Sequence, residues 1–67
     1  MSIKVKVEIS PYQEHHFEKG MKVDKLLKEL QLNPENVIVI KGKQLLAPDD
    51  WVEAGEEVSI RSVISGG

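Results

Sequence analysis

The chain opens on an alternation. From position 3 to position 9 every second residue is aliphatic (Ile3, Val5, Val7, Ile9), and Lys4, Lys6 and Glu8 stand between them. Successive side chains of a strand point to opposite faces, so this spacing predicts a half-buried β-strand. Ser10-Pro11-Tyr12 follows as a turn, because proline fixes φ and has no amide to donate to a ladder. A shorter strand over 14–18 is expected to fold back as a hairpin and to end at Lys19-Gly20. At Lys22 the period changes. Val23, Leu26, Leu27 and Leu30 recur at i, i+3, i+4 and i+7, while Lys22, Asp24, Lys25, Lys28 and Glu29 are polar. That pattern predicts an amphipathic helix of about two to three turns, too short to persist without a sheet to pack on. Asn33-Pro34 is expected to stop it, since the residue before proline avoids the α region.

The second half is richer in strand signals. Residues 37–40 form a continuous β-branched run, Val-Ile-Val-Ile, which favours a strand. Lys41-Gly42-Lys43 turns the chain into a short edge strand at 44–46. Pro48-Asp49-Asp50-Trp51 reads as a turn or a single helical turn, and 54–57 as another turn leading into a final strand over 58–64. One amphipathic helix covers one face of one sheet. The expected architecture is therefore an α+β roll, a four- or five-stranded sheet gripping one helix. Its core is drawn from Ile3, Val5, Val7, Val23, Leu26, Leu27, Leu30, Val58 and Ile60, with one alternate pair of the 37–40 run. The other pair then lies on the uncovered face, an apolar strip of the kind that marks partner surfaces.

Composition narrows the function. Sixty-seven residues allow one small domain, and an enzyme pocket of ~300–1,000 Å³ has little wall to enclose it. The absence of cysteine excludes a disulfide framework, a thiolate metal site and a thiolate nucleophile. A hydrophobic content of 40% and a charged content of 30% describe a globular chain. A net charge of −2 argues against nucleic acid as the main partner. With no signal-peptide core and no apolar run near ~18 residues, no membrane partner is expected and the reading is cytoplasmic.

Few side-chain constellations suggest chemistry. His15 and His16 are neighbours on a strand, so they point to opposite faces and read as exposed or edge-strand residues rather than metal ligands. Asp49 and Asp50 suit a turn with side-chain to backbone hydrogen bonds better than an acid/base pair. Trp51, the single tryptophan, reads as the rim of the core, with an exposed interface anchor as the alternative. The lysines at 4, 6, 19, 22, 25, 28, 41 and 43 are interleaved with acids and read as solvated surface, while Asp49, Asp50, Glu53, Glu56 and Glu57 cluster late. Neither a G-x-x-x-x-G-K-[ST] loop nor a G-x-G-x-x-G turn is present to hold a nucleotide.

Three features together carry a resemblance: the hairpin–helix–Val-Ile-Val-Ile order, the turn Ala54-Gly55-Glu56-Glu57-Val58, and the terminus Val63-Ile64-Ser65-Gly66-Gly67. Over nearly its whole length the chain resembles the ubiquitin-like β-grasp sulfur carriers of the MoaD/ThiS family. These include the thiamine-biosynthesis sulfur carrier, the small subunit of molybdopterin synthase and the archaeal ubiquitin-like modifiers. The turn is similar to that family's Gly-Asp-x-Val, with Glu56 where Asp is usual.

The resemblance implies a β-grasp domain over 1–64, a mixed sheet on one helix, and a flexible diglycine tail over 65–67. It implies a carrier rather than an enzyme. A partner enzyme adenylates the Gly67 carboxylate with ATP, and a sulfur donor displaces AMP to leave a thiocarboxylate, so the chain itself binds no cofactor. The implied partners are that adenylating enzyme and a sulfur-accepting synthase or thiolase. The resemblance leaves open whether the pathway is thiamine, molybdopterin or tRNA thiolation. Gly66 and Gly67 form the reactive terminus, and glycine offers an unhindered carbonyl that enters a narrow channel. Val63 and Ile64 either finish the strand or anchor the tail in the activating enzyme by strand addition. Arg61, outward on the last strand, is expected to face that enzyme. The rival readings are a modifier joined to target-protein lysines through the same terminus and a passive interaction module.

Overall fold

In the computed structural model, which describes residues 1–9 and 11–63, the alternating segment is β1 (Ile3–Val7) and pairs antiparallel with β2 (Gln13–Phe17). Ile3, Val5 and Val7 are buried, and Lys4 and Lys6 face out. The ladder continues briefly past β1, where the Glu8 amide donates to the Ile60 carbonyl at 2.8 Å. β3 (Met21–Lys22) leads directly into α1 (Val23–Glu29). β4 (Val37–Lys41) and β5 (Gln44–Leu46) form a hairpin whose loop is Gly42-Lys43. Gly42 has φ +63°, a region that L side chains avoid and glycine enters freely. β6 (Trp51–Val52) and β7 (Glu57–Ser62) complete the set.

The main sheet has five strands in the order β2-β1-β7-β4-β5. β7 runs parallel to β1 and antiparallel to β4, so the sheet is mixed. One face packs on α1 through Val23, Leu26 and Leu27, and Leu30 packs against the same cluster part-buried. This is the β-grasp α+β architecture. Each fully buried aliphatic contributes about 1.5–3 kcal/mol. Eleven residues, all aliphatic, form this core among the described residues, and the chain has no cysteine to staple it.

Four sequence expectations need correction. A second, two-stranded sheet joins β3 to β6 and adds Val52, fully buried, to the core. Two residues are too few to show a period, so nothing in the spacing announced it. The helix stops before Asn33-Pro34, at Gln31, whose φ is 60°. There the Gln31 amide donates to the Lys28 carbonyl at 3.0 Å and the Leu32 amide to the Leu27 carbonyl at 2.8 Å. That pair of bonds is a Schellman cap. Trp51 does not belong to the rim of the core: it is 53% exposed, because its register partner across β3–β6 is the outward Lys22 and not the inward Met21. The last strand is assigned over Glu57–Ser62 rather than 58–64, with Ile64 outside the described residues.

Loop 47–50 builds the start of the helix. The Val23 and Asp24 amides donate to the carbonyls of Asp50 at 2.9 Å and Pro48 at 3.0 Å, so no side-chain cap is needed. Asp50 holds that loop by accepting from the Ala47 amide at 2.7 Å, the local turn chemistry expected of it.

Candidate functional site

β7 sits in the middle of the main sheet and is the last strand before Gly66-Gly67 in the sequence, so the candidate site is its outer face and its last residues. Val58 and Ile60 face the core, which turns Ser59 and Arg61 to the open face. There Ile38 lies opposite Arg61 and Ile40 opposite Ser59, with Leu45 beside Ile40 on β5. The 37–40 run therefore divides as expected: Val37 and Val39 go into the core, while Ile38 and Ile40 stay half-buried on the uncovered face. Leu45 is 62% exposed and extends this aliphatic strip to the edge of the sheet. Its alternation with buried-side Leu46 was the signal that could have placed it there.

Arg61 is exposed beside the strip, its Nε 3.7 Å from Glu8 Oε2. Glu8 was read only as a polar position of the first strand. The chain leaves the sheet at a defined point, where the Val63 amide donates to the Asn36 carbonyl at 3.0 Å. Val63 itself is half exposed. Ile64, Gly66 and Gly67 lie outside the described residues.

The rest of the open face is charged and internally paired. Lys6 Nζ lies 3.0 Å from Glu57 Oε2, and this hydrogen bond and charge raise the lysine pKa and lower that of Glu57. Lys4 approaches Glu14 at 4.0 Å. At the turn before β7, Glu56 accepts from the Glu53 amide at 2.8 Å and from Lys41 Nζ at 2.9 Å. The backbone bond first and the lysine second hold its carboxyl below the usual range. Glu56 reaches both donors from one turn, which gives a physical use for Glu where the related turn has Asp. The link to Lys41, fifteen positions away, had no signal in the sequence.

His15 and His16 lie on β2, an edge strand, opposite Val5 and Lys4 respectively and so on different faces. Each bonds a residue two positions back, His15 to Gln13 and His16 to Glu14. Among the described residues no group of three ligating side chains converges, and no helix is long and apolar enough to cross a membrane.

The model of the family described as small archaeal modifier protein 2 matches residues 1–64. The chain is 43% identical over 42 residues to the sulfur carrier protein TtuB of Thermus thermophilus, covering 63% of this chain and 65% of that protein. It is 34% identical over 68 residues to an uncharacterized protein of Archaeoglobus fulgidus, covering 97% of this chain and 100% of that one. With a mixed sheet gripping one helix and a family match running through β7 to position 64, the chain belongs to the small archaeal modifier protein 2 family of ubiquitin-like sulfur carriers and modifiers.

Proposed function

We propose that the protein is a sulfur carrier whose Gly67 carboxylate is activated by a partner enzyme and converted to a thiocarboxylate. The observation that carries this reading is the tail root. Val63 is tied to Asn36 at the end of the central strand, and Gly66-Gly67 follow within four positions. The likeness to a sulfur carrier supports the chemistry. In that chemistry the carboxylate attacks the α-phosphate of ATP and releases pyrophosphate. Hydrosulfide delivered by the sulfur donor then adds to the acyl-adenylate carbonyl and expels AMP, which leaves the thiocarboxylate with no change of oxidation state. The carrier contributes reach and an uncrowded carbonyl, and the partner contributes the nucleotide site. Arg61, Val63 and the Ile38–Ile40–Leu45 strip form the face presented to that partner, an apolar centre with a cationic margin. Ile64 adds to the anchoring of the tail.

Deleting Gly67 tests the assignment. The carboxylate moves back by up to ~3.6 Å, and a misplacement of about 1 Å already costs on the order of 10²-fold in rate. Thiocarboxylate formation should therefore fall by at least about 10²-fold, while the thermal melt stays unchanged. The readout is intact-protein mass spectrometry after incubation with ATP, the cognate activating enzyme and a sulfur donor. A native protein that keeps only its carboxylate, with a deletion variant that functions normally in cells, would overturn the proposal.

A further inference from the structure

A second surface lies on the two-stranded β3–β6 sheet. Lys19, Gly20, Met21, Lys22, Lys25 and Trp51 line an open groove of about 480 Å³. Gly20 gives the groove its floor: a Cβ there would stand 2.9 Å from the Val52 carbonyl and 3.0 Å from Trp51 Nε1. The indole therefore lies directly over backbone, more than half exposed, with Lys22 as its cross-strand neighbour. Lys22 and Lys25 are three apart and share one side of the helix start.

The lysines of the lining differ from those of the main sheet. Lys4, Lys6 and Lys41 each have a carboxylate partner, and Arg61 stands near Glu8. Lys19, Lys22 and Lys25 have none among the described residues, and the same holds for Lys28 one turn further on and for Lys43 in the β4–β5 loop. The groove's lining thus sets three lysines and no carboxylate around the chain's single, exposed tryptophan, on a chain of net charge −2. Position adds to this. The groove is built on the β3–β6 ladder and the start of α1, whereas the tail root follows Ser62 at the end of β7. None of the groove's lining residues belongs to β7 or to the tail root.

We infer that this groove docks an acidic segment of another protein, seating an aliphatic or aromatic side chain on Trp51 while its carboxylates meet Lys19, Lys22 and Lys25. The apolar floor selects a side chain and the lysines select its flanks. The groove shares no residue with the tail root, so a segment docked in it leaves Val63 and Arg61 uncovered by its own contacts. Nucleic acid fits less well. Single strands are tracked by a basic channel with several stacking aromatics, whereas this groove has one ring on a net acidic protein.

Trp51 is the chain's single tryptophan, so its emission reports the groove directly. The test titrates the full-length protein with a short synthetic peptide of glutamates around a central Phe-Leu pair. A blue-shifted, saturable emission change is expected. Replacing the glutamates by glutamines, or changing Lys22→Glu and Lys25→Glu together, should weaken binding by about tenfold, as several exposed ion pairs of modest strength would. Raising the salt should weaken it too. These lysines are exposed, so the double variant should keep the wild-type circular dichroism spectrum and melt. Removing Gly67 should leave the titration unchanged, which separates failure of this inference from failure of the carrier reading. An unresponsive Trp51 at millimolar peptide, equal binding of the glutamine peptide, or tighter binding of a single-stranded oligonucleotide would each overturn it.

Discussion

Gln31 carries the one non-glycine positive φ among the described residues, and it does so at the helix C-terminus. The position after a C-cap commonly takes the left-handed conformation, which glycine enters without the Cβ clash that costs other residues roughly 1–2 kcal/mol. Gln31→Gly should therefore raise stability. Glycine's larger unfolded-state entropy offsets roughly 0.4–1 kcal/mol of that gain, leaving a net rise of about 0.5–1 kcal/mol. Urea denaturation with an unchanged m-value would register it, and a loss of stability would contradict the cap. Composition at 30–33 marks no such stop: glycine is absent there, and Pro34 is the nearer signal. Trp51 is a comparable case. Its identity suggested burial at a core rim, but its face was set by a two-residue ladder.

At the scale of elements, the turn before β7 shows how acidity enters stability. Glu56 and Glu57 have folded pKa values below the ordinary 4.5, through the Glu53 amide and Lys41 for the first and Lys6 for the second. A carboxylate held low contributes stability that is present above its unfolded pKa and lost as pH falls through the folded one. Lys6 is raised from 10.5, so its contribution is present below that pH and lost in alkali. The melting temperature should accordingly decline below about pH 4.5. Glu56→Gln should melt below the wild type at neutral pH, and the gap should close in acid, where the protonated glutamate resembles the amide. Melts followed by circular dichroism between pH 2 and pH 8 check this. A gap that persists in acid would show that the residue acts through packing and not through its charge.

For the whole molecule, the two faces of the central strand are assigned different work. The inner face of β7 closes the core with Val58 and Ile60, and the outer face sets Arg61 beside the Ile38–Ile40–Leu45 strip at the tail root. Reversing the Arg61 charge should leave the fold intact, because its contact with Glu8 is long and exposed and such pairs are worth about 0–1 kcal/mol. It should lower kcat/KM for adenylation by the partner enzyme at low ionic strength, and the deficit should shrink as salt screens it. Adenylation kinetics indifferent to Arg61→Glu at low salt would remove this residue from the docking face.

Local periodicity sufficed for β1, for α1 and for the division of residues 37–40 between core and surface, because each pattern extends over enough positions to orient itself. The five strands of the main sheet and the helix follow from those patterns together with the turns between them. Neither the β3–β6 ladder, nor the loop carbonyls that start the helix, nor the Lys41–Glu56 link could be read that way. Each joins segments distant along the chain through backbone groups or a single long side chain, and such contacts leave no period behind. The groove has the same origin. Lys19, Lys22 and Lys25 read as ordinary solvated lysines until the short ladder brings Trp51 among them.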